Sequence, residues 1–342
     1  MTNALPAARE LPARPQRSLR TWLVRIGLLV LLAALLYFVL SKAPLAEIAQ
    51  ALAALQFWQI VVLLGINALI YALISCRWWL VVRAEYRSIR YLPMIPVRVS
   101  VFGVSYFTLG PQIGGEPLQV LYLQNTYGIS YTRAAASVVM DKLFELLGNF
   151  VLLSFGLEAL FRSGLLAGAS AASRLMLVLL GLVISWPLVH IVLLYRRVYP
   201  LSAALHVFGP RVRRRKAVRF IRAAEHLAGQ FCQRHPRSMI AGLLVSLVAA
   251  AATVSEYALI TSFLHVHLPF WKLITAWTTG WLSFLVPLPG GLGALEASQV
   301  SVLGLFGISA AAALGVVLIM RGRDLLIGSL GLLLAGNSAR RL

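Results

Sequence analysis

The sequence predicts an all-α polytopic membrane protein, with about six full transmembrane helices and two oppositely oriented re-entrant hairpins that form an inverted repeat. Of its 342 residues, 60% are hydrophobic and 12% are charged. That charged share is about half of what a soluble domain carries. The mean hydropathy is +0.83, and the chain has 8 Trp and 11 Tyr, residues that concentrate at membrane interfaces.

The charge of the chain is strongly basic, with 31 Lys and Arg against 11 Asp and Glu and a net charge of +20. In a soluble protein this excess would indicate nucleic-acid binding. Here the basic residues lie mostly between apolar runs, so we expect them to fix topology against an anionic membrane face, and we expect no nucleic-acid partner. Cys76 and Cys232 have no paired spacing, which makes a disulfide framework or a zinc site improbable.

The N-terminal region divides into two parts. Residues 1–20 are polar and basic, and we predict a disordered cytoplasmic tail; an apolar run over 22–40 follows. A cleaved signal peptide is the competing interpretation. The apolar run is long for a signal, and Pro44 makes a poor cleavage context, so we predict a retained first span. The tail then leads into a single transmembrane domain over 21–337.

Five further apolar runs approach the roughly 20 residues that a spanning helix needs. They cover about 57–82, 134–160, 175–195, 239–264 and 308–335. Basic residues cluster at the ends that would share one side: Arg77, Arg83, Arg87 and Arg90, then the basic segment 196–237, then Arg340 and Arg341. The positive-inside rule makes that side cytoplasmic. We therefore expect a multi-pass protein of the cell inner membrane with both termini in the cytoplasm.

Two apolar segments, 93–127 and 270–306, are interrupted by Gly and Pro at Gly110–Pro117 and Pro287–Gly293. If either were one ordinary crossing, the charge pattern downstream would invert. If each enters the bilayer, turns and leaves on the same side, every basic loop stays cytoplasmic. The order of span, broken hairpin and span then occurs twice, over about 57–160 and 239–335, and such inverted repeats are typical of secondary transporters.

The two interruptions contain candidate headgroup-binding residues. These are Gly114, Gly115, Pro289, Gly290, Gly291 and Gly293. Irregular backbone at membrane depth needs protein or water around it, and free amides at helix N-termini attract anions. The alternative is a simple turn inside the bundle. Glu116 and Glu296 follow the two interruptions and would bind a cationic headgroup, carry a proton or cap a helix start.

Charged residues inside the predicted spans form a second candidate set. Asp141 and Glu145 are four residues apart, hence on one helical face, with Lys142 beside them. Arg321, Arg323 and Asp324 interrupt the last apolar run. Each charge costs about 2.5–3.5 kcal/mol to insert, so we expect pairing across the bundle, of Asp141 or Glu145 with Arg321 or Arg323. The set is either a headgroup site or proton relay, or a structural ion-pair network. Glu256 is expected to reach the outer interface.

The segment 210–232 is predicted to be an amphipathic surface helix on anionic lipid, with a solvated basic loop as the alternative. Its lipid-facing basic residues would be Arg211, Arg213, Arg214, Arg215, Lys216, Arg219 and Arg222. Its apolar stripe would be Val212, Phe220, Leu227 and Phe231. Leu45, Ile48, Leu52 and Leu55 predict a second, outer interfacial helix. We expect no catalytic residues, cofactor or metal, because no nucleotide-binding, hydrolase or zinc motif occurs.

The two glycine motifs resemble a known family. Gly114-Gly115-Glu116-Pro117, the run Pro287 to Glu296, Asp141-Lys142 and Arg321 are similar to the flippase-like transmembrane family named for the membrane region of lysylphosphatidylglycerol synthase. The likeness covers roughly residues 20–335 and implies a bacterial or archaeal inner-membrane protein that moves a lipid between leaflets. It does not imply lysyl transfer, which in the synthase belongs to a soluble C-terminal domain.

The resulting hypothesis is a translocator of a polar or charged lipid, for example a phospholipid, a hopanoid or a glycolipid. Membrane lipids are its expected partners. Two alternatives stay open. One is a membrane-embedded enzyme that modifies a lipid, with Asp141 and Glu145 as acid and base. The other is a non-catalytic membrane partner of a lipid-biosynthetic enzyme, with the basic loop 196–222 as its docking surface.

Overall fold

The computed structural model describes residues 45–108, 114–162, 171–207, 216–284 and 291–341. These residues form twelve helices and no strand. In chain order the helices are α1 Leu45–Ala53, α2 Phe57–Glu85, α3 Met94–Phe107, α4 Glu116–Tyr127, α5 Tyr131–Arg162, α6 Ala171–Tyr195, α7 Pro200–Val207, α8 Lys216–Arg234, α9 Pro236–Phe263, α10 Phe270–Ser283, α11 Ala294–Leu305 and α12 Ala310–Arg341. The predicted tail and first span, residues 1–40, lie outside this description.

Two sets of four helices follow the same pattern along the chain. Helices α2 to α5 contain 29, 14, 12 and 32 residues, and α9 to α12 contain 28, 14, 12 and 32. Each set is therefore a long helix, two short helices and a second long helix. Their order along the chain is the order of the predicted repeat, a long segment, an interrupted segment and a second long segment.

The first helices of the two repeats, α2 and α9, run antiparallel along their whole length. The rings of Trp58 and Phe263 are 5.3 Å apart at one end. Further along, Asn67 donates to Glu256 over 2.6 Å, and Arg77 donates to Ser246 over 3.1 Å. As the number on α2 rises, the number on α9 falls, so equivalent helices of the two repeats point in opposite directions.

The short helices α3 and α4 form an antiparallel hairpin. Gly114, which stands just before α4, has a φ of +134°, a conformation that favours glycine. Gly115 then lies so close to α3 that a Cβ atom there would be 2.1 Å from the carbonyl oxygen of Val101. Further back along the hairpin, Leu123 packs in one cluster with Met94. Both outer ends of the hairpin consequently lie on the same side of the molecule.

The second interrupted segment has the same antiparallel form. Gln299 on α11 donates through Nε2 to the carbonyl of Ala276 on α10 over 3.0 Å. At the outer ends of the two helices, the rings of Trp271 and Phe306 are 5.6 Å apart. Helices of 14 and 12 residues are about 21 and 18 Å long, shorter than a hydrocarbon core of about 30 Å.

Each hairpin packs on the last helix of the other repeat, α3 on α12 and α10 on α5. The α3–α12 contact is very close: a Cβ atom on Gly331 would lie 2.2 Å from the carbonyl oxygen of Val99. Small residues of this kind let helix backbones approach each other, which is typical of helix packing in membranes. The interlocking joins the two repeats into one bundle.

The surface of the bundle is apolar and its interior holds charges. Phe57, Leu182, Leu244 and Leu333 are 82%, 62%, 58% and 67% exposed. Among the described residues, α2 and α9 are long and apolar enough to cross a membrane. The other three predicted spans within the described part coincide with the long helices α5, α6 and α12. An apolar surface around a charged interior is what a protein surrounded by lipid requires.

The predicted amphipathic helix between the repeats is α8, and the C-terminal part of its predicted apolar stripe packs on other helices of the protein. Ala228 and Phe231 of α8 are buried against α5 and α6, whereas Phe220 is 37% exposed. Helix α8 begins at Lys216, Arg219 is exposed and Arg222 is half-buried, while the other four predicted lipid-facing arginines lie outside the described residues. Helix α1 packs on α12, so the predicted outer helix also contacts protein.

The close α3–α12 contact yields a stability prediction. Replacing Gly331 with Ala adds a methyl group where backbone atoms already stand, and overpacking of this kind costs about 1–3 kcal/mol. We expect Gly331→Ala to lower the thermal unfolding temperature of the protein in mild detergent. Gly65→Ala on α2 is the matched control, because its Cβ atom would have no neighbour within 4 Å. Equal unfolding temperatures for the two variants would contradict the contact.

Candidate functional site

A cavity of about 250 Å³ lies between the two repeats and is lined by residues of α2, α3, α4, α5, α9, α10 and α12. Nine charged side chains line it: Arg77, Arg98, Glu116, Asp141, Lys142, Glu145, Glu256, Arg323 and Asp324. The structure thus brings most of the predicted intramembrane charges to one place. Arg321 and Glu296 pair with each other in a contact that is not part of the cavity wall.

The first-repeat part of the cavity is a network of two arginines and two carboxylates. Arg77 contacts Asp141 at 2.7 Å and Glu145 at 2.8 Å, and Arg98 contacts the same carboxylates at 2.9 and 3.4 Å. Asp141 and Glu145 present both carboxylates on one face of α5. Arg77 is 2% and Asp141 1% exposed, so these charges depend on each other for solvation.

Lys142 connects this network to the first hairpin. Its Nζ lies 2.8 Å from Glu145 and 3.7 Å from Glu116. Glu116 in turn accepts a hydrogen bond of 2.7 Å from the backbone amide of Gly114. The carboxylate therefore caps the start of α4, which is one of the predicted roles of Glu116, and also faces a cation.

The equivalent part of the second repeat is tighter. Arg321 holds Glu296 with two nitrogens, at 2.7 and 2.9 Å, and donates to the carbonyl of Gly291 over 3.0 Å. Glu296 accepts from the backbone amide of Gly293 over 2.9 Å. Arg321 also reaches the hydroxyl of Tyr106, next to the break of the first hairpin, at 3.5 Å. One arginine thus connects the two hairpin breaks.

A third group lies on the α2–α9–α12 side of the cavity. Arg323 contacts Glu256 at 2.6 Å and Asp324 at 2.7 Å. Glu256 also accepts a hydrogen bond of 2.6 Å from Asn67. Two carboxylates share one guanidinium, so this group carries a formal charge of −1.

The charged residues occupy matched positions in the two repeats. Lys142 and Arg321 each stand eleven residues after the first residue of their helix, Tyr131 and Ala310. Their partners, Glu116 and Glu296, each accept from a glycine amide at the hairpin break. The two repeats therefore build the same hairpin cap from the same kinds of residue.

Three sequence-based expectations were wrong: the partners of Asp141 and Glu145, the position of Glu256 and, as described next, the position of Arg77. Asp141 and Glu145 do not pair with Arg321 or Arg323, since the antiparallel packing of α2 against α5 places Arg77 beside them instead. Glu256 does not reach the interface, because it is 3% exposed and faces Arg323 on the neighbouring helix α12.

Arg77 itself was counted among the interfacial cytoplasmic charges and is buried. It lies eight residues before the end of α2, so its helix continues beyond it towards the membrane surface. Arg98 was missed altogether, although an arginine inside the apolar run of α3 carries the same signal as the other intramembrane charges.

Among the predicted glycine-motif residues, Gly114, Gly115, Gly291 and Gly293 lie at the two breaks, and the last two have φ values of +62° and +82°. Pro289 and Gly290 lie outside the described residues. The amides of Gly114 and Gly293 are already bonded to the neighbouring carboxylates, and that of Gly115 donates to the hydroxyl of Ser105.

Sequence reasoning also missed a matched pair of buried glutamines. Gln119 follows Glu116 by three residues, and Gln299 follows Glu296 by three, and both are 0% exposed. Gln299 accepts from the hydroxyl of Tyr257 and donates to a backbone carbonyl. Gln119 lines the cavity, and neither atom of its amide has a partner in the described structure. A buried polar group without a partner costs about 1–3 kcal/mol.

Comparison with known proteins identifies the family. The family model of the lysylphosphatidylglycerol synthase transmembrane region matches residues 23–331, which is nearly the whole chain. The chain belongs to this family. Neither a search of curated proteins nor a search of solved structures found a match.

Membership confirms the resemblance that the glycine motifs indicated, and it makes the chain a membrane protein associated with lipid handling. Both hairpin breaks and all nine charged cavity residues lie inside the region that matches the lysylphosphatidylglycerol synthase transmembrane family.

The buried network of the first repeat gives a second prediction. Asp141→Leu leaves Arg77 and Arg98 with one carboxylate between them, and breaking a buried pair costs about 3–5 kcal/mol. We expect a large loss of thermal stability in detergent. Removing an arginine at the same time, in Arg98→Met with Asp141→Leu, should recover part of it. If the double variant loses the sum of the two single losses, the two side chains do not interact.

Proposed function

We propose that this protein is a lipid translocator, in which a polar lipid headgroup passes through the central cavity while its acyl or polyprenyl tails stay in the bilayer. The observation that supports this most is the cavity itself, where charged side chains of both repeats meet inside a bundle with an apolar surface. Charged groups inside membrane proteins are costly to bury and commonly mark substrate or ion paths, and a buried ion pair is weak evidence for a role in stability.

The arrangement of the helices supports a specific membrane topology. Helices α2 and α9 would cross the bilayer fully and in opposite directions, and each short hairpin would enter from one side and leave on that side. Since the repeats point in opposite directions, the hairpins would enter from opposite faces. With the basic segments on the inner side, both termini are cytoplasmic in a cell inner membrane.

In this proposal the hairpin breaks act by placing carboxylates. The amides of Gly114 and Gly293 are already used by Glu116 and Glu296, so a lipid phosphate would have to displace a carboxylate to reach them. The headgroup would instead pass beside Glu116 and Lys142, which line the cavity and lie 3.7 Å apart. The substrate is a polar or charged lipid, such as a phospholipid, a hopanoid or a glycolipid.

The geometry gives little support to acid–base catalysis by Asp141 and Glu145. Both carboxylates are held by the guanidinium groups of Arg77 and Arg98, and a general acid or base needs an oxygen that can reach the substrate. The translocator proposal therefore describes a protein without a chemical step of its own.

Reconstitution into liposomes tests the proposal. Lipids carrying a fluorescent group on the acyl chain keep their natural headgroups, and a membrane-impermeant reductant then bleaches only the outer leaflet. We expect proteoliposomes to lose more than the outer-leaflet half of the signal for at least one lipid class. Equal bleaching with and without protein, across anionic, zwitterionic, glycosylated and polyprenyl lipids, would refute translocation.

A cavity variant separates transport from folding. Glu256→Gln keeps one oxygen as an acceptor for Asn67 and places an amide nitrogen towards Arg323, which retains Asp324, so the α2–α9–α12 group becomes neutral and loses its contact between residue 256 and Arg323. We expect a moderate loss of thermal stability and, in the protein that stays folded, a lipid exchange rate lowered by about tenfold, the change that 1.4 kcal/mol produces. Glu47→Gln, at an exposed position of α1, is the control and should exchange lipid like the parent protein. Parental exchange in Glu256→Gln would remove this group from the path.

A further inference from the structure

Gln119 is buried in the cavity wall, and its side-chain amide has no hydrogen-bond partner among the described residues. It is 0% exposed, it lines the cavity, and both its amide nitrogen and its amide oxygen lack a hydrogen-bond partner within the described residues. Buried polar groups in proteins nearly always have partners. A bound molecule that both accepts and donates a hydrogen bond would satisfy this amide.

The second repeat shows what an amide at this position needs. Gln299, the matched residue, accepts through Oε1 from the hydroxyl of Tyr257 and donates through Nε2 to the carbonyl of Ala276. The protein itself supplies both partners there. In the first repeat Gln119 belongs to the cavity wall with both amide atoms buried, so the missing donor and acceptor would come from a ligand towards which this side chain turns.

The charged side chains that line the cavity form ion pairs with one another. Four basic and five acidic side chains line it, and each of the basic ones contacts at least one of the acidic ones. The surplus carboxylate belongs to the pair Glu256 and Asp324, which share Arg323. A phosphate headgroup would have to break these pairs to find a cation, and an ammonium headgroup would have to compete with Arg323 for Glu256 or Asp324.

Helix α10 contributes two tryptophans to the cavity wall. Trp277 and Trp281 stand four residues apart on α10, hence on one face, and both line the cavity. Large flat rings together with a few precisely directed amides are typical of sites for small polar organic molecules. A sugar ring offers apolar C–H faces to such rings, and its neighbouring hydroxyls each donate and accept hydrogen bonds.

From these observations we propose that the cavity selects an uncharged, hydroxyl-rich headgroup, the sugar or polyol of a glycolipid, and that the Gln119 amide binds two of its hydroxyls. Nε2 would donate to one hydroxyl, and Oε1 would accept from its neighbour. This inference depends on the proposed translocation and narrows its substrate to one chemical class.

A headgroup panel tests the class. Four lipids with identical labelled acyl chains are compared in proteoliposomes: monoglucosyl diacylglycerol, phosphatidylglycerol, phosphatidylcholine and a cationic diacyl trimethylammonium lipid. We expect the glucosyl lipid to exchange at least about tenfold faster than the other three, since 1.4 kcal/mol of discrimination corresponds to tenfold. Faster exchange of a charged or zwitterionic lipid would overturn the inference and leave translocation standing. No exchange of any lipid would overturn both.

Matched glutamine variants test the residue. Gln119→Leu removes an amide that has no partner in the protein, so we expect an unchanged or higher unfolding temperature and an exchange rate of the glucosyl lipid about tenfold lower. Gln299→Leu takes the acceptor from Tyr257 and should lower the unfolding temperature. If Gln119→Leu exchanges the glucosyl lipid at the parental rate, or destabilises the protein as much as Gln299→Leu does, Gln119 is not the binding residue.

Discussion

The structure depends on one constraint: charges buried in a bundle with an apolar surface must neutralise each other. Arg77 and Arg98 on one side and Asp141 and Glu145 on the other meet this constraint with four contacts between 2.7 and 3.4 Å. Helices α2, α3 and α5 are held in register by these contacts, because sliding one helix by a turn would leave a charge without a partner. The polar interior therefore specifies how the apolar helices pack, which apolar contacts with lipid on the outside cannot do alone.

The hairpins meet the same constraint for the backbone. A broken helix exposes amides that the hydrocarbon cannot satisfy, and here Glu116 and Glu296 accept from the glycine amides at the two breaks. Each capping carboxylate would itself be an unpaired charge, so each needs a cation on the last helix of its repeat, Lys142 or Arg321. The interruption, the acidic cap and the intramembrane cation are thus three consequences of one requirement, and their joint recurrence follows from the repeat.

Sequence alone was sufficient for the order of the helices and not for the pairing of the charges. Apolar runs and Gly/Pro interruptions are local signals, so the order of long and interrupted helical segments could be predicted. The partner of Asp141 depends on which faces of α2 and α5 meet, and Arg77 looked interfacial because it stands near other arginines in the sequence. Gln119 could not be recognised either, because only the three-dimensional structure shows that its amide lacks a hydrogen-bond partner among the described residues. Non-local information of this kind is not contained in hydropathy or spacing.

The two hairpin caps differ in strength although they are built alike. Two nitrogens of Arg321 donate hydrogen bonds to the carboxylate of Glu296, and the same guanidinium donates to a backbone carbonyl. The side chain of Arg321 is 2% exposed. Glu116 meets only the single ammonium of Lys142, at 3.7 Å, with both side chains more than 20% exposed. Glu296 is 28% and Glu116 25% exposed, so the caps differ in their cations: a bidentate, buried arginine holds its geometry far better than a long, partly hydrated lysine. Separating the first hairpin from α5 therefore costs less than separating the second hairpin from α12. Because Gln119 lies one turn beyond Glu116, the weaker cap stands beside the part of the cavity where the proposed headgroup would meet the amide of Gln119.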